Sequence, residues 1–173
     1  MTADDHPDGH SDGLSRNVYV VSAVSFLQDT ASEILYPVLP FFVTGVLGAP
    51  PAALGLIEGL ADGTASAMKL LSGRLADLRR RRPLVGAGYG ISAVGKLLLA
   101  LSFAWPMVLV ARVTDRVGKG LRGPPRDAII ADETTPANRG RAFGFHRAAD
   151  TAGAVCGPLI GLDPGVGLAH PAE

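Results

Sequence analysis

Long apolar blocks alternate with short polar breaks along this chain, and the blocks have the length of membrane-crossing helices. About 20 consecutive, mostly apolar residues carry a helix across the hydrocarbon layer. Five segments meet that length: residues 18–47, 52–76, 83–104, 107–131 and 142–162. Gly48-Ala49-Pro50-Pro51 and Trp105-Pro106 read as tight turns, and Trp prefers the membrane interface. The other two breaks are polar, Asp77–Arg82 and Asp132–Arg141. Residues 1–17 are polar, rich in Asp and His and without the pattern of a cleavable signal, so they are expected to be a disordered cytoplasmic tail. Residues 163–173 are expected to be a short tail outside the membrane. The pattern as a whole predicts an all-α fold, a polytopic bundle of transmembrane helices.

The basic residues orient it. Arg74 and Arg79 to Arg82 flank the second break, and Arg139 and Arg141 lie in the fourth, whereas the first and third carry no Lys or Arg. Basic loops stay in the cytoplasm, which places the amino terminus inside and the two tight turns outside a cell's inner (plasma) membrane.

Charges also occur inside the apolar blocks, where they are costly unless they face a cavity or one another. Each helical residue turns by about 100°. Asp29 and Glu33 therefore share a face of the first segment, and Glu58, Asp62 and Lys69 form one stripe on the second. Arg112, Asp115, Arg116, Lys119, Arg122, Arg126 and Asp127 fit an arc of about 140° on the fourth. His146, Arg147 and Asp150 cluster on the fifth. Such stripes suit helices that line a hydrated interior and turn apolar faces to lipid. For any single residue, pairing that merely holds neighbouring helices together is an equal reading. A helix lying on the membrane surface is an alternative for the fourth segment, weakened by the apolar run Met107–Val110.

Composition narrows the classes. The chain has 173 residues, 47% hydrophobic, and a formal net charge of zero, which argues against a nucleic-acid partner. Its 22 glycines and 13 prolines are many for a soluble helical protein but ordinary for membrane helices. The lone Cys156 excludes an internal disulfide, and His6 and His10 read as solvated tail residues. Asp29, Glu33, Glu58 and Asp62 could form an acid/base or metal site in an integral-membrane enzyme, but no nucleophile or substrate-binding signature accompanies them. No catalytic residue, metal site or cofactor is expected. Gly90 to Leu97 nearly matches a phosphate-binding loop, yet Leu97 stands where Ser or Thr must reach magnesium, and no strand precedes it.

Three motifs remain. Gly73-Arg74-Leu75-Ala76-Asp77, followed by Arg81 and Arg82, resembles the motif that joins the second and third helices in the major facilitator superfamily. Arg116-Val117-Gly118-Lys119-Gly120 resembles that family's Arg-x-x-x-Gly pattern on the fourth helix, and Gly153 to Gly161, with Gly157-Pro158, matches its Gly-x-x-x-Gly-Pro-x-x-Gly pattern on the fifth. Together they cover the chain from about Asn17 to Gly161, in the family's order. The resemblance implies the amino-terminal part of a transporter that moves a small solute, in proton-coupled efflux or antiport. It assigns Gly73, Asp77, Arg81 and Arg82 to a gating loop and Gly153, Gly157, Pro158 and Gly161 to close helix packing. The transport or proton-coupling candidates are Asp29, Glu33, Glu58, Asp62, Arg112, Asp115, Arg116, Lys119, Arg147 and Asp150, with Asp29 or Glu33 the expected partner of Arg116. Family members have two six-helix halves, with the substrate between them. Five segments are fewer than one half, so a truncated, transport-inactive fragment is the alternative, and the remainder of the transporter an expected partner beside lipid, solute and protons.

Reporter fusions after Pro50 are expected to report the outside of the cell, and fusions after Arg81 the cytoplasm; the reverse pattern would overturn the orientation.

Overall fold

The structure is a computed structural model that describes residues 13–78 and 80–163. His6, His10 and residues 164–173 lie outside the described part. Helix α1 runs over Arg16–Glu33, with the Ser15 hydroxyl accepting from the Val18 amide at 3.3 Å. A serine acceptor at this position satisfies an amide that has no partner within the helix. The helix therefore includes Arg16 and Asn17, which the polar pattern assigns to the tail.

The first apolar segment is not one helix. After Glu33 the chain turns through residues 34–38, forms the short helix α2, Leu39–Phe41, and then a π-helical turn, Phe42–Val46. Proline explains the interruption. Pro37 has no amide to continue the α1 ladder, whereas Pro40 sits in the first turn of α2, where a missing amide costs nothing. Gly48 then adopts a φ of 64°, which lets the chain reverse into the next helix.

Four long helices follow: α3 over Pro51–Leu78, α4 over Arg81–Ala100, α5 over Trp105–Asp132 and α6 over Arg139–Leu162. They stand where the pattern predicts segments 52–76, 83–104, 107–131 and 142–162. Among the described helices α4 alone is both long and apolar enough to cross a membrane by composition, with a mean hydropathy of 1.4 over its best window. α3, α5 and α6 carry more charge, and on α5 that charge is turned inward. Leu27, Leu71, Val94, Leu97, Val155 and Leu159 are exposed on the outer faces, which is the exterior that a hydrocarbon solvent requires.

The helices associate in two groups. α3 and α4 both pack along α5, and α1 packs along α6, while α1 and α6 touch α5 at few backbone positions. Close approach in the second group depends on Gly153, Gly157 and Gly161, spaced one turn apart on α6. A Cβ on Gly153 would lie 2.6 Å from the Phe26 carbonyl oxygen, one on Gly157 would lie 2.8 Å from that of Thr30, and one on Gly161 would collide with that of Ile34. In the first group Gly118 of α5 presses on Ser92 of α4, where a Cβ would come within 2.6 Å of the backbone nitrogen. Such backbone-to-backbone seams are how membrane helices gain dispersion contacts without a hydrophobic drive. Gly73 is different: a Cβ there would meet nothing within 4 Å among the described residues.

Two apolar clusters close the ends of the bundle. Leu39, Val43, Ala53, Ile57 and Val108 bind α2 and the π-turn to α3 and α5, and Val18, Ile130 and Ala142 join α1, α5 and α6.

Gly157→Leu is expected to force α6 away from α1 and to cost about 3 kcal/mol in reversible unfolding from detergent micelles. Gly73→Ala is expected to be neutral or stabilising by up to about 1 kcal/mol.

Candidate functional site

Helix α5 carries the chemistry. Arg112, Asp115, Arg116, Arg122 and Arg126 are each no more than 7% exposed, so each must find a partner inside the protein. Arg112 meets Glu58 of α3 through Nε at 3.1 Å and Nη2 at 2.9 Å, and its guanidinium lies 5.9 Å from the centre of the Tyr36 ring. Asp115 accepts from Lys96 of α4 at 2.9 Å. Arg116 faces Asp62 of α3 at 3.6 Å.

Further along α5 the partners change. Lys119 lies 3.5 Å from Asp29 and 3.6 Å from Glu33, both on α1. Arg122 lies 3.7 Å from Asp29, donates to the Ser92 hydroxyl at 2.8 Å and stacks 4.8 Å from the Tyr89 ring centre. Arg126 donates to the Ser25 hydroxyl at 2.9 Å and reaches Asp150 of α6 at 3.3 Å. Arg147 of α6 returns to Asp127 at 3.2 Å and approaches Asp150 at 3.9 Å. Helix geometry explains the sequence of partners. Three residues turn the helix by about 300°, so Arg116, Lys119 and Arg122 point in directions that step around the axis by about 60° from α3 towards α1.

Asp29 and Glu33, the acids expected beside Arg116, are therefore held by Lys119 and Arg122, and the carboxylate at Arg116 is Asp62. The four acids considered for an enzymatic site fall into separate ion-pair groups, Glu58 and Asp62 on one side of α5 and Asp29 and Glu33 on another. No group of three or more His, Cys, Asp or Glu among the described residues is placed to hold a metal ion.

A cavity of about 250 Å³ opens between α1, α3, α5 and α6. Its walls include the carboxylates Asp29, Asp127 and Asp150 and the cations Lys69, Lys119, Arg122, Arg126 and Arg147, with Gly123 and Pro124 between them. Of the expected site residues, Asp29, Lys119, Arg147 and Asp150 meet here, and Glu33 stands beside it on Lys119. Glu58, Arg112, Asp115, Arg116 and Asp62 do not line it.

The residues assigned to the gating loop lie in separate surroundings. Asp77 is exposed and has no ion-pair partner among the described residues. The clamp is made by Arg81 at the start of α4, which pairs with Asp132 at the end of α5 and also reaches the carbonyls of Ala128 at 3.4 Å and Ala76 at 3.5 Å. Thus one guanidinium ties together the ends of three helices, α3, α4 and α5. Arg82 is exposed.

Sequence reading passed over Lys96, Ser92, Tyr89 and Ser25. Lys96 belongs to the stretch that mimics a phosphate-binding loop. Its signal was its isolation: a single cation inside the most apolar helix needs an acid on a neighbour. The serines and the tyrosine give no such signal, because uncharged hydroxyls are ordinary on helix faces.

The sequence profile of the Major Facilitator Superfamily matches residues 21–162. An uncharacterised MFS-type transporter of Methanocaldococcus jannaschii is 41% identical over 150 residues, which cover 86% of this chain and 37% of that protein. The multidrug resistance protein MdtH of Aeromonas hydrophila is 31% identical over 128 residues, 74% of this chain and 32% of its own length. A bacterial homologue of the human lysosomal transporter Spinster, solved in an inward-facing, occupied conformation, shares the fold with a TM-score of 0.70 at 22% identity, over 84% of this chain and 30% of that one. This chain belongs to the major facilitator superfamily of membrane transporters. It spans about a third of the length of the curated relatives it matches, 37% and 32% in the two cases above.

Removing Glu58 by substitution with Ala leaves Arg112, 3% exposed, without its counter-ion. The expected loss of stability is about 3–5 kcal/mol. Asp62→Ala also removes the carboxylate that faces a buried guanidinium, Arg116, 7% exposed, but that pair is longer, at 3.6 Å, and the Asp62 side chain is 71% exposed and already screened, so the expected cost is smaller, about 1 kcal/mol. Unfolding of both variants in one detergent system distinguishes the two.

Proposed function

We propose that this chain forms part of a proton-coupled transporter that exports a small solute from the cytoplasm by antiport. The observation that carries the reading is the joint between the two helix groups. α1 with α6 and α3 with α4 and α5 meet chiefly through charged side chains, Asp29 and Glu33 on Lys119 and Arg122, and Asp150 and Asp127 on Arg126 and Arg147. Glycine seams hold each group together internally, so relative movement between the groups breaks ion pairs rather than packed backbone.

Coupling follows from charge. A carboxylate parted from its cations inside a membrane takes up a proton rather than remain a bare charge, and releases it when the pair re-forms. In this mechanism Asp29 and Glu33 carry the proton, and Lys119 and Arg122 are the counter-ions that expel it. Arg116, Asp62, Arg112, Glu58 and Asp115 keep α3 and α4 in place on α5. The Arg81 clamp, with Gly73, Asp77 and Arg82 around it, governs the cytoplasmic end. The solute occupies the cavity beside Asp29 and Lys119, and its second wall comes from another six-helix half, as in transporters of this architecture. The multidrug resistance name of the Aeromonas relative supports export. The basic loops support an inner-membrane location with a cytoplasmic amino terminus.

The test uses proteoliposomes containing the chain together with a carboxy-terminal half taken from the Methanocaldococcus relative, and a panel of anionic and cationic fluorescent solutes. Asp29→Asn or Glu33→Gln is expected to abolish accumulation driven by a proton gradient while exchange of solute without a gradient persists at near the parental rate. Equal loss of both activities, in protein that remains folded, would make the acids structural and end the coupling reading.

A further inference from the structure

His146 is fully buried, at 0% exposure, between α6, α1 and α5, and the mechanism above makes no use of it. Its Nδ1 lies 3.1 Å from the Ser22 hydroxyl of α1, and its Nε2 lies 3.5 Å from Asp150 Oδ2, one turn further along α6. Ser22 is itself 1% exposed. Nε2 and the second Asp150 oxygen, Oδ1, are both buried without a hydrogen-bond partner. A histidine that serves only to fill space would not be aimed at a carboxylate and a hydroxyl at once.

We propose that Ser22, His146 and Asp150 form a proton-binding site, separate from Asp29 and Glu33. The chemistry requires no movement of heavy atoms. In the neutral ring, Nε2–H points at Asp150 and Nδ1 accepts from the Ser22 hydroxyl. A hydroxyl is both donor and acceptor, so it can rotate. When a proton arrives at Nδ1, Ser22 turns its lone pair to the ring and Nδ1–H donates to it. The resulting imidazolium faces the Asp150 carboxylate through Nε2–H. One proton is gained and no bond between heavy atoms changes.

The surrounding charges are balanced before that proton arrives. From α5 come Arg126 and Asp127, from α6 Arg147 and Asp150, and from α1 the uncharged Ser22 and Ser25, with Tyr19 against Phe145 at 5.1 Å. α4 contributes only Tyr89, through Ser25 at 3.2 Å. Two guanidinium groups and two carboxylates leave the neutral imidazole in a neutral setting. An added proton makes the ring a third cation at Asp150, in competition with Arg126, whose contacts with Asp150 and Ser25 tie α5 to α6 and α1. Occupancy of the site therefore sets the strength of that tie. Asp29 and Glu33 take no part in this site.

The four histidines of the chain are His6, His10, His146 and His170. Replacing His6, His10 and His170 with Gln leaves His146 as the one imidazole of the chain. Nitrogen-15 NMR of this single-histidine chain in detergent micelles reads each ring nitrogen directly. The expected result is a neutral ring protonated on Nε2 at high pH, which gains its second proton on Nδ1 as the pH falls while the chain remains folded. Asp150→Asn removes the facing negative charge and is expected to lower that midpoint. Ser22→Ala, which leaves every ion pair in place, is expected to lower it as well. A ring that stays neutral until the fold is lost, or a midpoint that neither variant moves, would overturn the proposal.

Discussion

A guanidinium buried without a counter-ion is among the most costly arrangements that a protein interior can hold. Helix α5 buries four arginines and an aspartate, each no more than 7% exposed, and each needs an opposite charge from a neighbouring helix. Their demands organise the bundle. Arg112 requires Glu58 and so seats α3. Asp115 requires Lys96 and seats α4. Arg122 and Lys119 draw in Asp29 and Glu33 on α1, and Arg126 draws in Asp150 on α6. Four helices are arranged around one because each holds the charge that one of its residues lacks.

Two kinds of joint result, and they differ in how they respond to movement. Where α6 meets α1 and where α5 meets α4, glycines bring backbone against side chain or backbone with no space for a Cβ. Such seams depend on close packing, which weakens steeply with small displacements. Where α5 meets α1 and α6, apart from the small apolar cluster of Val18, Ile130 and Ala142, the contacts are mainly ion pairs of 3.2 to 3.7 Å between side chains long enough to follow a moving partner. Coulomb attraction falls off slowly with distance, and water entering the gap can replace it. The fold thus combines rigid pairs with a yielding boundary, and the cavity of about 250 Å³ lies along that boundary. In the proposed antiport mechanism the two helix groups are the rigid elements that rock against one another.

Lipid is the other side of the same constraint. The charged arc of α5 is turned inward, and leucines and valines occupy the outer faces of α3, α4 and α6. Because hydrocarbon does not distinguish one apolar side chain from another, small residues and polar pairs inside the bundle specify which helix lies beside which.

Much of this was legible in the chain without coordinates. The number and order of the long helices follow from the apolar blocks, because crossing hydrocarbon imposes a length on them. The charged stripes follow from a fixed turn per residue, and Gly153, Gly157 and Gly161 announce a close contact because their spacing aligns them on one face. Proline at position 37 marked the break after α1, but the continuous apolarity of residues 18–47 concealed it. What periodicity cannot supply is the identity of the neighbour. It gives the direction of a side chain relative to its own axis, not the azimuth of the next helix. Hence Arg116 was matched with Asp29 or Glu33, whereas the packing of α3 gives it Asp62, and Asp29 and Glu33 go to Lys119 and Arg122. The same limit hid Lys96 opposite Asp115 and His146 between Ser22 and Asp150. Those pairs join residues 19 and 124 positions apart, and only the assembled bundle brings them within reach.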